Sequence, residues 1–303
     1  TVERQAALVA DGVDLQAVLA LANSAPDLPG SVWDPSSPFE PAGPNRTAGP
    51  DRTAGPDRTA GDGPPGSGRA PVVAVAAGPV FTFRYAETTE LLLAAGADVV
   101  EFDPLTAPGL PEGTAALYLG GGFPQVHAEA LADNLPLRRT VADRVARGMP
   151  VVAECAGLLY LCRELEGHPM AGVLPATARL TDRLTLGYRT ATSPGPNLLV
   201  GDGDGGRTFT GHEFHRTAVV PDGPEQGNGT ERTPGSGEGA AGPGPAWLLR
   251  DAEGTVRPEG FAAPGLHASY LHLHWAAAPQ LASGLVARAR ARLLDATPDR
   301  SDL

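Results

Sequence analysis

Short apolar runs and helical periodicities take turns along the middle of the chain. PVVAVAA (71–77) is a short apolar run with the composition of a strand. YAETTELLLAAG (85–96) reads as a helix, and Gly96 is placed to cap it. ADVVEFDP (97–104), TAALYLGGG (114–122) and MPVVAE (149–154) predict three more strands, with an amphipathic helix over 135–148 before the last. Strands alternating with helices at this spacing predict βαβ units, hence an α/β fold with a mostly parallel sheet flanked by helices. Upstream, residues 2–22 repeat apolar positions at helical spacing, with Asp14 placed to start a second short helix.

Two segments break the pattern. GPNRTA-GPDRTA-GPDRTA (43–60) is a polar six-residue repeat that runs on into GDGPPGSGR, and it has nothing with which to build a core. It reads as a disordered linker over 38–70, and residues 222–245 as a similar loop between two strands. Residues 71–297 are then the main domain, 1–37 a separate N-terminal piece and 298–303 a tail.

Composition removes several function classes. The formal net charge of −12 argues against a nucleic-acid partner, which needs a basic surface. All 23 basic residues are arginine, so an ordinary Walker phosphate loop, which needs its lysine, is excluded. No apolar run approaches membrane-spanning length and no signal-peptide pattern opens the chain, so the expectation is a cytoplasmic protein with no membrane partner. Two cysteines are too few for a disulfide scaffold.

One of those cysteines closes a strand. In VVAECAGLLYL (151–161), Cys155 stands between an apolar β-type run and a leucine-rich helix, followed by the small residues Ala156 and Gly157. That is the composition of a sharp strand–turn–helix corner, which exposes a nucleophile. A helix beginning there is expected to lower the thiol pKa. The Ala156 N–H and a donor from the glycine turn, Gly121 or Gly122, would receive an oxyanion. Cys155 as a small buried hydrophobe is the other reading, and spacing leaves both open. Cys162, further along the helix, reads as core. A base for Cys155 comes from HASYLHLHW (267–275), where strand alternation puts His272 and His274 on one face, after Tyr270. These histidines, with GHEFH (211–215), also admit a metal-site reading, although no ligand cluster includes Cys155; no metal is assigned.

YLGGGFPQVHAEAL, VVAECAGLLYL, GHEFHR and HASYLHLHW, in this order, resemble the C-terminal, class I glutamine amidotransferase domain of cobyrinate or hydrogenobyrinate a,c-diamide synthases. The resemblance covers residues 71 to about 295 apart from the loop at 222–245. It implies a flavodoxin-like amidotransferase fold, Cys155 as the nucleophile that attacks L-glutamine, and His272 as its activating base. The resemblance further implies Gly121, Gly122 and Ala156 around the thioester, and His212, Glu213, His215 and Tyr270 as candidates for the substrate pocket. Many class I enzymes carry a glutamate two residues after the histidine. Here that position is His274, so the group orienting His272 is unassigned. The role of GHEFH is equally open, a strand that packs Phe214 inward being the plain reading. Arg84 and Arg189 either meet a substrate carboxylate or are simply solvated.

The resemblance implies ATP and Mg²⁺ for the complete enzyme, bound by an N-terminal synthetase half that this chain lacks, with residues 1–37 its remnant and a corrinoid as acceptor. No cofactor is expected on this chain itself. Sister amidotransferases (cobyric acid synthase, sirohydrochlorin diamide synthase, a cell-wall lipid amidotransferase) and a degenerate, non-catalytic binding domain are the competing readings.

Overall fold

A computed structural model describes residues 2–26, 33–39, 69–200, 206–222 and 243–295. The repeats at 43–60 and most of the 222–245 segment lie outside the described residues. The chain divides into two compact units, Thr1–Asp34 and Pro35–Leu303.

The first unit holds α1 (Val2–Gly12) and α2 (Leu15–Asn23). Asp14 caps α2 by accepting the Ala17 amide at 3.0 Å, as its position between the helices predicts. None of the residues in either helix is buried.

In the second unit, β1 (Val72–Ala76), α3 (Ala86–Ala94), β2 (Asp98–Phe102), β3 (Thr114–Leu119), α4 (Ala128–Asp133), α5 (Leu135–Ala146), β4 (Val151–Glu154) and α6 (Ala156–Leu161) follow the alternation read from the sequence. Then come the short β5 (Glu164–Leu165) and β6 (His168–Pro169), the long β7 (Ala176–Thr192) and β8 (Thr208–Pro221), and β9 (Trp247–Arg250) to β10 (Val256–Glu259). β11 (Phe261–Ala263), β12 (Leu266–Ser269) and α7 (Gln280–Asp295) complete it.

The main sheet has the order β11-β12-β4-β3-β1-β2 and is parallel except for the β11–β12 hairpin. Every residue of β1, β3 and β4 is buried, because helices cover both faces of these central strands. On one face, leucines and valines of α5 and α6 pack against alternate strand residues; on the other, Leu91, Leu92, Leu281 and Leu285 of α3 and α7 do so. Each fully buried leucine of this kind stabilises the fold by roughly 2 kcal/mol.

A second, mixed sheet, β10-β9-β7-β5-β6 with β8 paired to β7, is antiparallel except between β5 and β7, and only the strands on either side of 222–245 have a counterpart in the sequence reading. HASYLHLHW also differs from expectation. The strand stops at Ser269, so residues 270–274 form an irregular segment, and His272 and His274 do not share a strand face.

Candidate functional site

Three strand ends converge where β4 runs out. Cys155 adopts φ 48°, ψ −95°, a left-sided conformation that costs a non-glycine residue roughly 1–3 kcal/mol. The surroundings hold it there. The Cys155 amide donates to Ser269 O at the end of β12 (2.8 Å), and the Gly157 amide to Gly120 O beyond β3 (3.1 Å). Gly157 has no space for a side chain, since a Cβ would lie 2.4 Å from Leu119 O. This is the corner that a cysteine followed by two small residues predicts.

The backbone amides of Gly122 and Ala156 both act as donors toward the Cys155 sulfur. The Gly121 amide is already committed to Phe83 O at 3.2 Å. Gly121 instead makes room for the base: a Cβ there would sit 2.4 Å from His272 Cε1 and 3.3 Å from Nδ1. Cys155 and His272 are both buried, at 4% and 5% exposure, on either side of one glycine turn.

The electrostatics correct one expectation. Burial pushes the Cys155 thiol up to about 12, against the pull of the Gly122 and Ala156 amides, with Glu154 and Glu259 adding to the rise. A helix of six residues offers little dipole to oppose this. Burial pushes His272 down to about 4, and the nearby His212 and His215 push the same way. At neutral pH the pair is therefore a thiol and a neutral imidazole.

His272 has no carboxylate ion pair among the described residues. Its ring stacks on His212 at 4.9 Å between centroids, 12° from parallel, and the two backbones exchange hydrogen bonds of 2.9 and 3.1 Å. His274, in the position of the usual glutamate, turns away to Tyr85 (4.5 Å between ring centroids) and Glu87.

The GHEFH residues divide between two sides of β8. His212 lines a cavity of about 350 Å³ together with Phe83, Arg84, Tyr85, Phe214 and His272. Phe214 is 43% exposed there, which corrects the expectation that it packs inward. Glu213 is fully buried on the other side, taking Arg189 Nε at 2.7 Å and Arg257 Nη2 at 2.5 Å. Burial would raise its pKa, but the nearby His215 ring and the Arg257 hydrogen bond prevail and hold it at about 2. His215 stacks on Tyr270 at 3.7 Å, and the Tyr270 hydroxyl meets Thr217 Oγ1 at 3.0 Å. Of the four candidate pocket residues, then, only His212 reaches the cavity. Arg84 is held by Glu101 and Arg189 by Glu213, so neither is a free surface arginine. Among the described residues no group of three or more His, Cys, Asp or Glu is arranged to hold a metal ion. No single described helix is long and apolar enough to cross a membrane.

The fold is a mostly parallel α/β sheet that carries Cys155 on a strained strand–turn–helix corner, next to a glycine turn and a buried histidine. Residues 72–280 match the CobB/CobQ-like glutamine amidotransferase domain, and the chain belongs to that family. It is 48% identical over 291 residues to the hydrogenobyrinate a,c-diamide synthase of Streptomyces coelicolor, covering 94% of this chain and 55% of that protein. Identity to the cobyrinate a,c-diamide synthase of a Synechococcus strain is 40% over 215 residues, 69% of this chain and 42% of the other. The chain thus spans about half the length of these relatives. In fold it is similar to a putative GMP synthase component from Thermoplasma acidophilum, with a TM-score of 0.51 at 12% identity, over 76% of this chain and all of the other.

Proposed function

We propose that this domain hydrolyses L-glutamine to supply ammonia to an ATP-dependent synthase that amidates the a and c carboxylates of cobyrinate or hydrogenobyrinate. The observation that carries the reading is the placement of Cys155 at the elbow, with the Gly122 and Ala156 amides on one side of its sulfur and His272 across the Gly121 turn.

In this mechanism His272 takes the Cys155 proton as the sulfur attacks the side-chain amide carbon of glutamine. The Gly122 and Ala156 N–H groups receive the oxyanion of the tetrahedral intermediate. The imidazolium returns its proton to the departing nitrogen, ammonia leaves, and a glutamyl thioester remains on Cys155. A water molecule, deprotonated by His272, then attacks the thioester, and collapse releases glutamate and restores the thiol. Burial leaves His272 unprotonated at neutral pH and able to accept the proton, but also makes it a weak base, so the transfer has to be coupled to sulfur attack on the amide.

ATP and Mg²⁺ belong to the activation of the acceptor carboxylate. With no lysine for a Walker loop, the residues of this chain do not fit an ordinary nucleotide phosphate site, and no step is assigned to them there. The corrinoid and the synthetase half are the partners in this reading.

The test is made in the full-length synthase, with glutamine and ammonium salts as alternative nitrogen donors. Cys155→Ala should abolish amidation with glutamine and leave amidation with ammonia intact. Equal loss with both donors would overturn the ammonia-generating role. Offering the full-length enzyme other acceptors, such as cobyric acid precursors or sirohydrochlorin, separates this reading from its sister amidotransferases.

A further inference from the structure

The segment that carries His272 belongs to no regular element, yet the amides of residues 270 to 273 all have partners. The Tyr270 amide donates to Glu259 Oε1 at 2.8 Å, and the Leu271 amide to Ser269 Oγ at 2.9 Å. The His272 amide donates to His212 O at 2.9 Å, and the Leu273 amide to the Glu154 carboxylate. Two residues on, the Trp275 indole N–H donates to Glu154 Oε1 at 3.3 Å. Ser269 Oγ itself donates to Glu259 Oε2 at 2.6 Å. Two buried carboxylates, at 2% and 6% exposure, therefore grip the segment before and after the histidine.

Glu154 has a second attachment. It is the last residue of β4 and the neighbour of Cys155, and its Oε2 accepts the Tyr118 hydroxyl at 3.1 Å from the adjacent strand β3. One side chain thus ties the strand end that presents the nucleophile to the loop that presents the base. Neither carboxylate is used by the chemistry described above, and placing two ionisable groups in the core costs stability unless they serve as acceptors of this kind.

We infer that Glu154, seconded by Glu259, is the positioning residue for His272, fixing the imidazole through its backbone where other enzymes of this design hold the ring with a carboxylate. The ring is then located by four amides, by the stack on His212 and by the bare backbone of Gly121. Loosening the grip leaves Cys155 and the glutamine pocket in place but spreads His272 over several orientations. Glutamine should still bind, and proton transfer should slow.

This inference rests on the proposed glutaminase reaction for its role, and its test is chosen to separate the two. Glu154→Gln and Glu259→Gln are compared with the unaltered protein by hydrogen exchange on peptides spanning 269–275, and by steady-state glutamine hydrolysis in the full-length synthase. Folding is checked by thermal unfolding. The expected result is faster exchange confined to that segment, kcat lower by at least tenfold, and KM within about twofold of the unaltered enzyme. Unchanged exchange and unchanged kcat in a folded Glu154→Gln variant would overturn the inference. A loss seen only as lower thermal stability, with kcat per folded molecule retained, would overturn it too. If Glu154→Gln does not fold, Glu259→Gln carries the same comparison. Should the unaltered synthase itself hydrolyse no glutamine, the glutaminase reading fails, while the exchange arm still decides whether these carboxylates hold the segment.

Discussion

Cys155 is pulled in two directions. Its corner conformation and the two amides at its sulfur favour a thiolate, whereas burial favours the thiol and wins, leaving the pKa near 12. The ligand-free cysteine should therefore react slowly with simple alkylating agents, and reactivity should climb with thiolate fraction. With iodoacetamide and peptide mass spectrometry, the Cys155 rate is expected to rise about tenfold per pH unit from pH 6 to 9. A plateau reached by pH 7 would instead mean a preformed thiolate–imidazolium pair. The corner at Cys155 was readable from VVAECAGLLYL, because small residues after a strand-ending cysteine have a steric reason. The thiol's electrostatics were not, since they depend on how deeply the turn is covered by elements distant in sequence. Glu154 was equally hidden: a carboxylate ending an apolar strand looks like a residue emerging into solvent, and only the Tyr118, Leu273 and Trp275 contacts reveal an acceptor.

Among the elements, the central strands were legible and the long ribbon was not. β1, β3 and β4 are buried on both faces, so their sequences are uninterrupted apolar runs. β7 and β8 are half exposed, carry arginines and threonines, and shift register between Leu180 and Thr185, which blurs any period of two. Likewise the LHLH alternation around His272 imitates a strand, but the chain leaves β12 at Ser269 and its amides donate to Glu259, His212 and Glu154. The ribbon has its own anchor in Glu213, which joins Arg189 of β7 and Arg257 of β10. Glu213→Gln should destabilise the domain by roughly 2 kcal/mol at pH 7, measured by urea unfolding. A carboxylate whose pKa is depressed on folding contributes above its unfolded value and loses that contribution as pH falls toward the folded one. The gap between the two proteins should thus be full above about pH 4.5 and close toward pH 2. A gap that stays constant down to pH 2 would show that Glu213 is not ionised in its arginine pair.

On the scale of the molecule, a CobB/CobQ-like amidotransferase domain occupies most of the second unit, and the chain as a whole covers about half of its synthase relatives. The second sheet, and the way it brings His212 against His272, required the three-dimensional path of β8. The central claim of the proposed function is that a glutamine-shaped electrophile entering this domain meets one nucleophile, Cys155, activated by one base, His272. The most direct measurement is covalent labelling of the purified protein, joined to its synthetase half, with the glutamine analogue 6-diazo-5-oxo-L-norleucine, read by peptide mass spectrometry. The account predicts an adduct on Cys155, none on Cys162, and loss of the adduct in His272→Ala. An unlabelled Cys155 in the folded protein, or labelling that persists at the same rate without His272, would contradict it.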